Sequence, residues 1–203
     1  MREQQKSIAV YTCNSEEEIS KALELGVDVL STSPYKWYGP HAGVMCIEPS
    51  LLNSLPVAKV RPADDVGPRR FETGTPNLEN IAATEAAARF LLEEGMANIA
   101  AHEHELLAYG TEALLTIPGL KLIGTAREKA GILSFVLDGC RSEDVGKALD
   151  REGIAVRAGH HCAQPILRRF GLEATVRPSL AFYNTCEEID ALVAALKRLR
   201  AAR

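Results

Sequence analysis

The 203-residue sequence lacks several features that define whole classes of protein. It has no apolar run near the roughly 20 residues of a membrane-spanning helix, and its first residues contain no apolar stretch of the kind found in signal peptides. It also lacks a basic excess, with 27 acidic against 23 basic residues. A general nucleic-acid-binding or anionic-membrane surface is therefore not expected, and we predict neither a nucleic-acid nor a membrane partner.

Cysteine is scarce as well. The five cysteines are odd in number and widely spread: Cys13, Cys46, Cys140, Cys162 and Cys186. Such a set is typical of reduced thiols in a cytoplasm and not of a disulfide framework. We therefore predict a cytoplasmic protein.

The order of apolar patterns favours an α/β fold, because short β-branched runs alternate with amphipathic segments. The predicted strands cover residues 8–12, 27–30, 44–47, 120–123, 131–137, 154–157 and 175–182. The predicted helices cover residues 15–25, 78–115 with a bend at Gly95, 142–150, 166–170 and a last one that begins at Thr185. Residues 56–76 are predicted to be irregular.

Cys162 lies in the segment Arg157-Ala-Gly-His-His-Cys162-Ala-Gln-Pro165, between a predicted strand and a predicted helix. A thiolate is the reactive form of cysteine, and adjacent histidine or arginine favours it. The planar guanidinium of Arg157 or Arg177 suits a carboxylate. The motif therefore indicates a nucleophilic thiol, with His160, His161 and Arg157 favouring its thiolate, and an anionic substrate.

Two other interpretations of this segment stay open. A cysteine is often a small buried apolar residue. Zinc binding by His160, His161 and Cys162 is disfavoured, because adjacent residues seldom converge on one metal and no second ligand pair stands at zinc-finger spacing. His102 and His104 are predicted to be surface histidines, since residues two apart on a helix face different ways. We expect no metal site.

Lys36 follows a predicted strand and stands among aromatic residues, in Ser33-Pro-Tyr-Lys36-Trp-Tyr-Gly-Pro. It is either a solvated surface lysine or a desolvated amine able to form a Schiff base. Nearby hydroxyls that could hold a phosphate are those of Ser31, Thr32 and Ser33.

Two of these segments carry a family resemblance. The Lys36 segment resembles the lysine segment of class V aminotransferase-like enzymes of fold type I, in which lysine holds pyridoxal 5'-phosphate (PLP). The Cys162 segment resembles the catalytic loop of group II cysteine desulfurases, which are related to selenocysteine lyase. Two further matching segments are Phe71-Glu-x-Gly-Thr-Pro-Asn77 and Arg177-Pro-Ser-Leu-Ala-Phe-Tyr-Asn-Thr185.

The resemblance implies the C-terminal part of a PLP-binding large domain in residues 1–93 and a complete small α/β domain in residues 94–203. The implied activity is PLP-dependent cysteine desulfuration in a homodimer: L-cysteine gives L-alanine, and the sulfur passes to an acceptor protein for iron–sulfur cluster assembly or other sulfur metabolism. Cys162 would attack the substrate sulfur and become a persulfide. The other implied roles are a Schiff-base lysine (Lys36), a phosphate contact (Ser33), a contact to the PLP phosphate of the other subunit (Thr75) and substrate binding (Arg177, Arg157 and His161).

The sequence departs from this family in ways that keep alternatives open. Family members are about twice as long, and the PLP pyridine nitrogen normally pairs with an acidic residue. The offsets of this aspartate and of a following glutamine fall on Val10 and Cys13, and Tyr35 stands where a histidine is common. We therefore expect the C-terminal half of such an enzyme. The alternatives are a non-catalytic fragment or half of a split enzyme that binds a desulfurase subunit or a sulfur acceptor, a selenocysteine lyase, and a cysteine sulfinate desulfinase.

Overall fold

The computed structural model describes residues 26–72, 74–124 and 126–202. The chain divides into two compact units, Met1–Met96 and Ala97–Arg203. Each unit combines helices with a β-sheet, as the α/β prediction requires. The strand predicted at 8–12 and the helix predicted at 15–25 lie outside the described residues.

The first unit contains a two-stranded antiparallel sheet of β1 (Val29–Thr32) and β2 (Val44–Ile47). The predicted strand 27–30 begins later than expected, because the ladder with β2 runs from the pair Val29–Ile47 to the pair Thr32–Val44. A 3-10 turn, Pro34–Trp37, follows β1 directly. The strand predicted at 44–47 is confirmed.

Helix α1 (Pro49–Ser54) is absent from the sequence prediction. Its start is set by two residues: the Glu48 carboxylate accepts from the backbone N–H groups of Ser50 and Leu51, and Pro49 occupies the first turn. Proline is favoured there because its missing N–H would have no helical partner. The sequence could have predicted this helix from Glu48 as a cap followed by Pro49 in the first turn.

The segment predicted to be irregular, residues 56–76, contains one 3-10 turn, Pro68–Arg70. Arg70 attaches this segment to the end of α1, since its guanidinium donates to the carbonyls of Leu52 and Asn53, at 2.8 and 2.7 Å, and of Leu55 at 2.9 Å. The last carbonyls of a helix have no helical partner, so a cation at this position satisfies them.

The long helical region divides at Gly95 into α2 (Leu78–Glu94) and α3 (Met96–Leu115). Gly95 has a φ of 85°, which favours glycine and ends α2. The predicted bend at this residue is confirmed.

The second unit is built on an antiparallel sheet in the order β3-β4-β6-β5. Its strands are β3 (Leu120–Ile123), β4 (Ser134–Leu137), β5 (Arg157–Gly159) and β6 (Thr175–Arg177). The strand predicted at 120–123 is confirmed, and those predicted at 131–137 and 175–182 are shorter than predicted. β6 ends before Pro178, which has no N–H for the ladder. Residues 131–133 contribute only one bridge, from Ile132 to Ser179.

The predicted strand 154–157 is displaced, because pairing with β6 begins only at Arg157. Ile154 and Val156, which suggested the strand, instead pack against the core as partly buried side chains. The ladder continues through Ala158 opposite Val176 and Gly159 opposite Thr175.

The sheet has an apolar face and a polar face, as the two-residue period of a strand requires. Phe135, Leu137 and Val176 are buried in the core, together with residues of α3, α4 (Ser142–Arg151) and α6 (Cys186–Ala201). Gly146 of α4 allows close approach to β5, because an added Cβ would lie 2.8 Å from that of Ala158. The intervening positions of β4, β5 and β6 point to the other face and supply the polar site described below.

Helix α6 begins as predicted. Thr185 is its N-cap and forms a capping box with Glu188. Its apolar stripe is buried at Leu192, Val193 and Leu196 and partly buried at Leu199. The helix predicted at 142–150 is also confirmed, since α4 begins at Ser142 with Arg141 as its N-cap.

Candidate active site

Cys162 lies on the loop between β5 and α5 (Gln164–Arg169), with Pro165 in the first turn of the helix. The predicted strand-to-helix placement is therefore confirmed. Its side chain is exposed, which excludes the buried apolar interpretation. His161 and Cys162 have φ values of 55° and 58°. Two successive non-glycine residues in this region cost on the order of 1–3 kcal/mol each, so the loop is strained at the tip that presents the thiol.

His160 supports the loop backbone. Its Nδ1 accepts a hydrogen bond from the Cys162 backbone N–H at 3.0 Å. An accepting nitrogen carries no proton, so this hydrogen bond occupies the lone pair of His160 Nδ1.

His161 is held from behind by Thr175. Its Nε2 lies 2.9 Å from Thr175 Oγ1 and 3.1 Å from the Thr175 carbonyl oxygen. Because a carbonyl can only accept, Nε2 carries the proton. Burial, and then the positive charge of Arg177, lowers the pKa of His161 below the ordinary 6.5. The expectation that His160, His161 and Arg157 favour the Cys162 thiolate stays a prediction.

Arg157 and Arg177 supply the positive charge of the site. They stand directly opposite each other in the β5–β6 ladder. Burial, and then the Arg157 charge, lowers the pKa of Arg177, yet a guanidinium remains protonated. Neither arginine forms an ion pair within residues 26–72, 74–124 and 126–202, whereas Arg168 nearby in sequence is paired with Glu173 at 3.4 Å. The buried Nε of Arg177 also has no hydrogen-bond partner in this part of the chain.

Two residues of the site, Thr175 and Ser134, are missing from the sequence prediction. Thr175 is fully buried, and its Oγ1 lies 2.7 Å from Ser134 Oγ. The sequence could have placed Thr175 in the site, because Thr175 and Arg177 are two residues apart on a predicted strand and so lie on the same face. The contact with Ser134 depends on the pairing of β4 with β6, which no local pattern specifies.

Lys36 lies in the 3-10 turn of the first unit and not in an open loop. Its side chain is exposed, and its Nζ lies 5.8 Å from the centroid of the Tyr35 ring. Desolvation of Lys36 by its aromatic neighbours is therefore not observed, and Trp37 instead donates its Nε1–H to Thr32 Oγ1 at 3.0 Å.

The hydroxyl residues predicted as phosphate contacts lie in different elements of the fold. Ser31 and Thr32 belong to strand β1. Ser33 precedes the 3-10 turn, and its hydroxyl makes no capping hydrogen bond. Thr75 is exposed on the segment before α2. Val10 and Cys13 lie outside the described residues.

His102 is half-buried, with its Nε2 3.0 Å from the Asn184 carbonyl oxygen, so its prediction as a surface residue is wrong; His104 is exposed as predicted. Among the described residues, no three side chains of the metal-binding types cluster together. Within the same ranges, every helix is too short or too polar to cross a membrane.

The comparison with known families agrees with the resemblance of the two motifs. The model of the aminotransferase class-V family matches residues 18–192. The chain therefore belongs to the class-V aminotransferase family.

Within that family, the chain is similar to cysteine desulfurases. It is 62% identical to a cysteine desulfurase of Synechococcus elongatus over 133 residues, which covers 66% of this chain and 21% of that protein. It is 49% identical to a probable cysteine desulfurase of Mycolicibacterium paratuberculosis over 189 residues, covering 87% of this chain and 27% of the relative.

Solved structures confirm fold type I. The apo cysteine desulfurase of Thermococcus onnurineus superposes with a TM-score of 0.81 at 30% identity, covering 90% of this chain and 49% of that one. A cysteine desulfurase of Escherichia coli gives a TM-score of 0.80 at 30% identity, covering 89% and 48%. The chain thus spans about half or less of the length of the proteins it matches.

Proposed function

We propose that this chain carries the persulfide-forming site of a PLP-dependent cysteine desulfurase that acts on L-cysteine. One observation carries the proposal: an exposed cysteine shares a loop-and-strand site with two arginines that form no ion pair in the described ranges. The relatives named cysteine desulfurase support this activity over selenocysteine lyase and sulfinate desulfinase.

The residues of the second unit have complementary roles in this activity. Arg177, with Arg157 beside it, binds the carboxylate of L-cysteine, since a guanidinium matches a carboxylate in shape and charge. The Cys162 thiolate attacks the substrate sulfur, so that an S–S bond forms as the C–S bond breaks. The carbon keeps the bonding electron pair and takes a proton to give L-alanine. Cys162 is left as a persulfide.

Residues of the first unit fit two groups of PLP. The exposed Lys36 amine suits its aldehyde, and the Ser33 hydroxyl, which makes no capping hydrogen bond, suits its phosphate. Bound PLP supplies an electron sink for the substrate carbanion. Val10 cannot pair with the pyridine nitrogen as an acid does. We also propose a cytoplasmic homodimer, in which Thr75 contacts the PLP phosphate of the partner, and which passes sulfur to an acceptor protein for iron–sulfur cluster assembly.

The experiment is peptide mass mapping after incubation with PLP and L-cysteine. The expected result is one added sulfur atom on the peptide that contains Cys162, removed by dithiothreitol. Cys162→Ser is the matched control and should carry none. Added sulfur on Cys46 or Cys186 at wild-type level in Cys162→Ser would refute the assignment, and no added sulfur on any peptide would favour the non-catalytic alternative.

The cofactor assignment has its own test. Borohydride reduction with PLP, followed by mass spectrometry, should place the adduct on Lys36, and Lys36→Ala should remove it. Stoichiometric PLP retained by Lys36→Ala would contradict the assignment.

A further inference from the structure

A tight turn with an unfavourable backbone presents Cys162. The Ala163 backbone N–H donates to the carbonyl oxygen of His160 at 2.9 Å, and the two residues between them, His161 and Cys162, have φ values of 55° and 58°. Two successive positive φ values characterise a type I′ turn, which normally has glycine, asparagine or aspartate at both positions. Other residues rarely adopt positive φ, so this turn persists only where the surrounding structure holds it.

The His161 side chain attaches the turn to the sheet. Its Nε2 lies 2.9 Å from Thr175 Oγ1 and 3.1 Å from the Thr175 carbonyl oxygen. Within the part of the chain that the structure describes, these are the only side-chain hydrogen bonds between residues 160–163 and other segments. The remaining one joins the Cys162 N–H to His160 Nδ1, so it lies inside the turn and cannot fix the turn to the sheet.

Thr175 is itself held on two sides. It lies in β6 opposite Gly159, where β5 ends, and it is fully buried with its Oγ1 2.7 Å from Ser134 Oγ of β4. The Thr175 carbonyl accepts only, so the ring proton of His161 is on Nε2. When the Thr175 hydroxyl also accepts from this N–H, its own proton is directed to Ser134.

We propose that His161, Thr175 and Ser134 are positioning residues that hold the type I′ turn and thereby fix the place of the Cys162 thiol. His161 is the anchor, and the two hydroxyls orient its ring. The use of this position in sulfur transfer rests on the proposed function, whereas the turn itself requires neither PLP nor L-cysteine.

Nuclear magnetic resonance of the 203-residue chain tests the anchor. A positive φ brings the amide and α protons of one residue close together, so the wild type should show a strong nuclear Overhauser effect between them at Cys162. His161→Phe keeps an aromatic ring but removes both hydrogen bonds, and the ratio of turn to open loop should fall at least about tenfold, with loss of this signal. His104→Phe, which replaces an exposed histidine of α3, is the matched control and should keep it. A full signal in a folded His161→Phe protein would overturn the proposal.

Two further variants test the hydroxyls and leave the turn residues unchanged. Thr175→Val keeps the side-chain shape and the backbone carbonyl, so it should weaken the Cys162 signal less than His161→Phe does. Ser134→Ala should act in the same direction. Thr175→Ser restores the hydroxyl and should match the wild type. An unchanged signal in both Thr175→Val and Ser134→Ala would overturn the role of the hydroxyls.

Peptide mass mapping after incubation with PLP and L-cysteine separates this proposal from the proposed function. If both hold, the sulfur on Cys162 should fall at least about tenfold in His161→Phe and stay at the wild-type level in Thr175→Ser. Loss of the turn signal in His161→Phe, together with no sulfur on wild-type Cys162, supports the anchor and refutes the proposed function. A retained turn signal, together with sulfur on Cys162 at the wild-type level in His161→Phe, does the reverse.

Discussion

Replacing Arg157 with glutamine should stabilise the protein while weakening the anion site. Arg157 and Arg177 are directly opposite across two antiparallel strands and form no ion pair in the described ranges. Like charges in that position destabilise a sheet by roughly 0.2–1 kcal/mol, and the exposure of Arg157 favours the lower part of that range. In a chain of this size, 1 kcal/mol moves the midpoint of thermal unfolding by about 2–4 °C.

The assay is thermal unfolding by circular dichroism at low and high salt. Arg157→Gln should unfold about 0.5–2 °C above the wild type at low salt, and the difference should vanish at 1 M salt, where the Debye length is about 3 Å. Arg168→Gln is the matched control, since it removes an exposed arginine that has a carboxylate partner, and it should give no gain. A gain that persists in 1 M salt, or an equal gain in Arg168→Gln, would refute the reasoning.

Three further predictions concern stability and assembly. The pKa of His161 lies below 6.5 in the folded protein. Because the unfolded chain binds this proton more tightly, the free energy of unfolding should fall as the pH drops below about 6.5. In a plot of unfolding midpoint against pH, His161→Gln should flatten this part of the curve. Thr185→Ala removes one side of the capping box and should cost about 1 kcal/mol, measured by urea unfolding, whereas an unchanged midpoint would contradict the cap. The β1–β2 sheet exposes the apolar side chains of Val29 and Met45, and exposed apolar surface favours association. Light scattering should therefore find a dimer or larger species. A clean monomer that binds no dye for apolar surface would count against this.

Local patterns predicted the parts of the fold that local interactions determine. The Thr185 cap with its acidic first turn and the apolar stripe of α6 are contained in consecutive residues. The same holds for Gly95, which separates α2 from α3. Strand bounds were less predictable, because β5 and β6 extend only as far as their mutual pairing, and that depends on residues far apart in the sequence.

The candidate site also has features that the sequence predicts and features that depend on the folded chain. Cys162 and its two arginines could be identified from residue types and spacing. The protonation of the histidines could not, because it depends on hydrogen bonds that form only in the folded chain: the Cys162 N–H to His160 and the His161 ring to Thr175. Sequence proximity placed both histidines beside the thiol, whereas the folded geometry shows that His160 accepts a hydrogen bond from the loop backbone and that His161 contacts Thr175.

The central claim is that Cys162 is a reactive thiol in a site that recognises a carboxylate. The most direct test compares two alkylating agents on the same protein: iodoacetate, which carries a carboxylate, and neutral iodoacetamide. Arg157 and Arg177 should attract iodoacetate to Cys162, while Glu187 and Glu188 should repel it from Cys186. The account predicts a higher iodoacetate-to-iodoacetamide rate ratio at Cys162 than at Cys186, reduced in Arg177→Gln. An equal ratio at the two cysteines, or a higher one at Cys186, would contradict it.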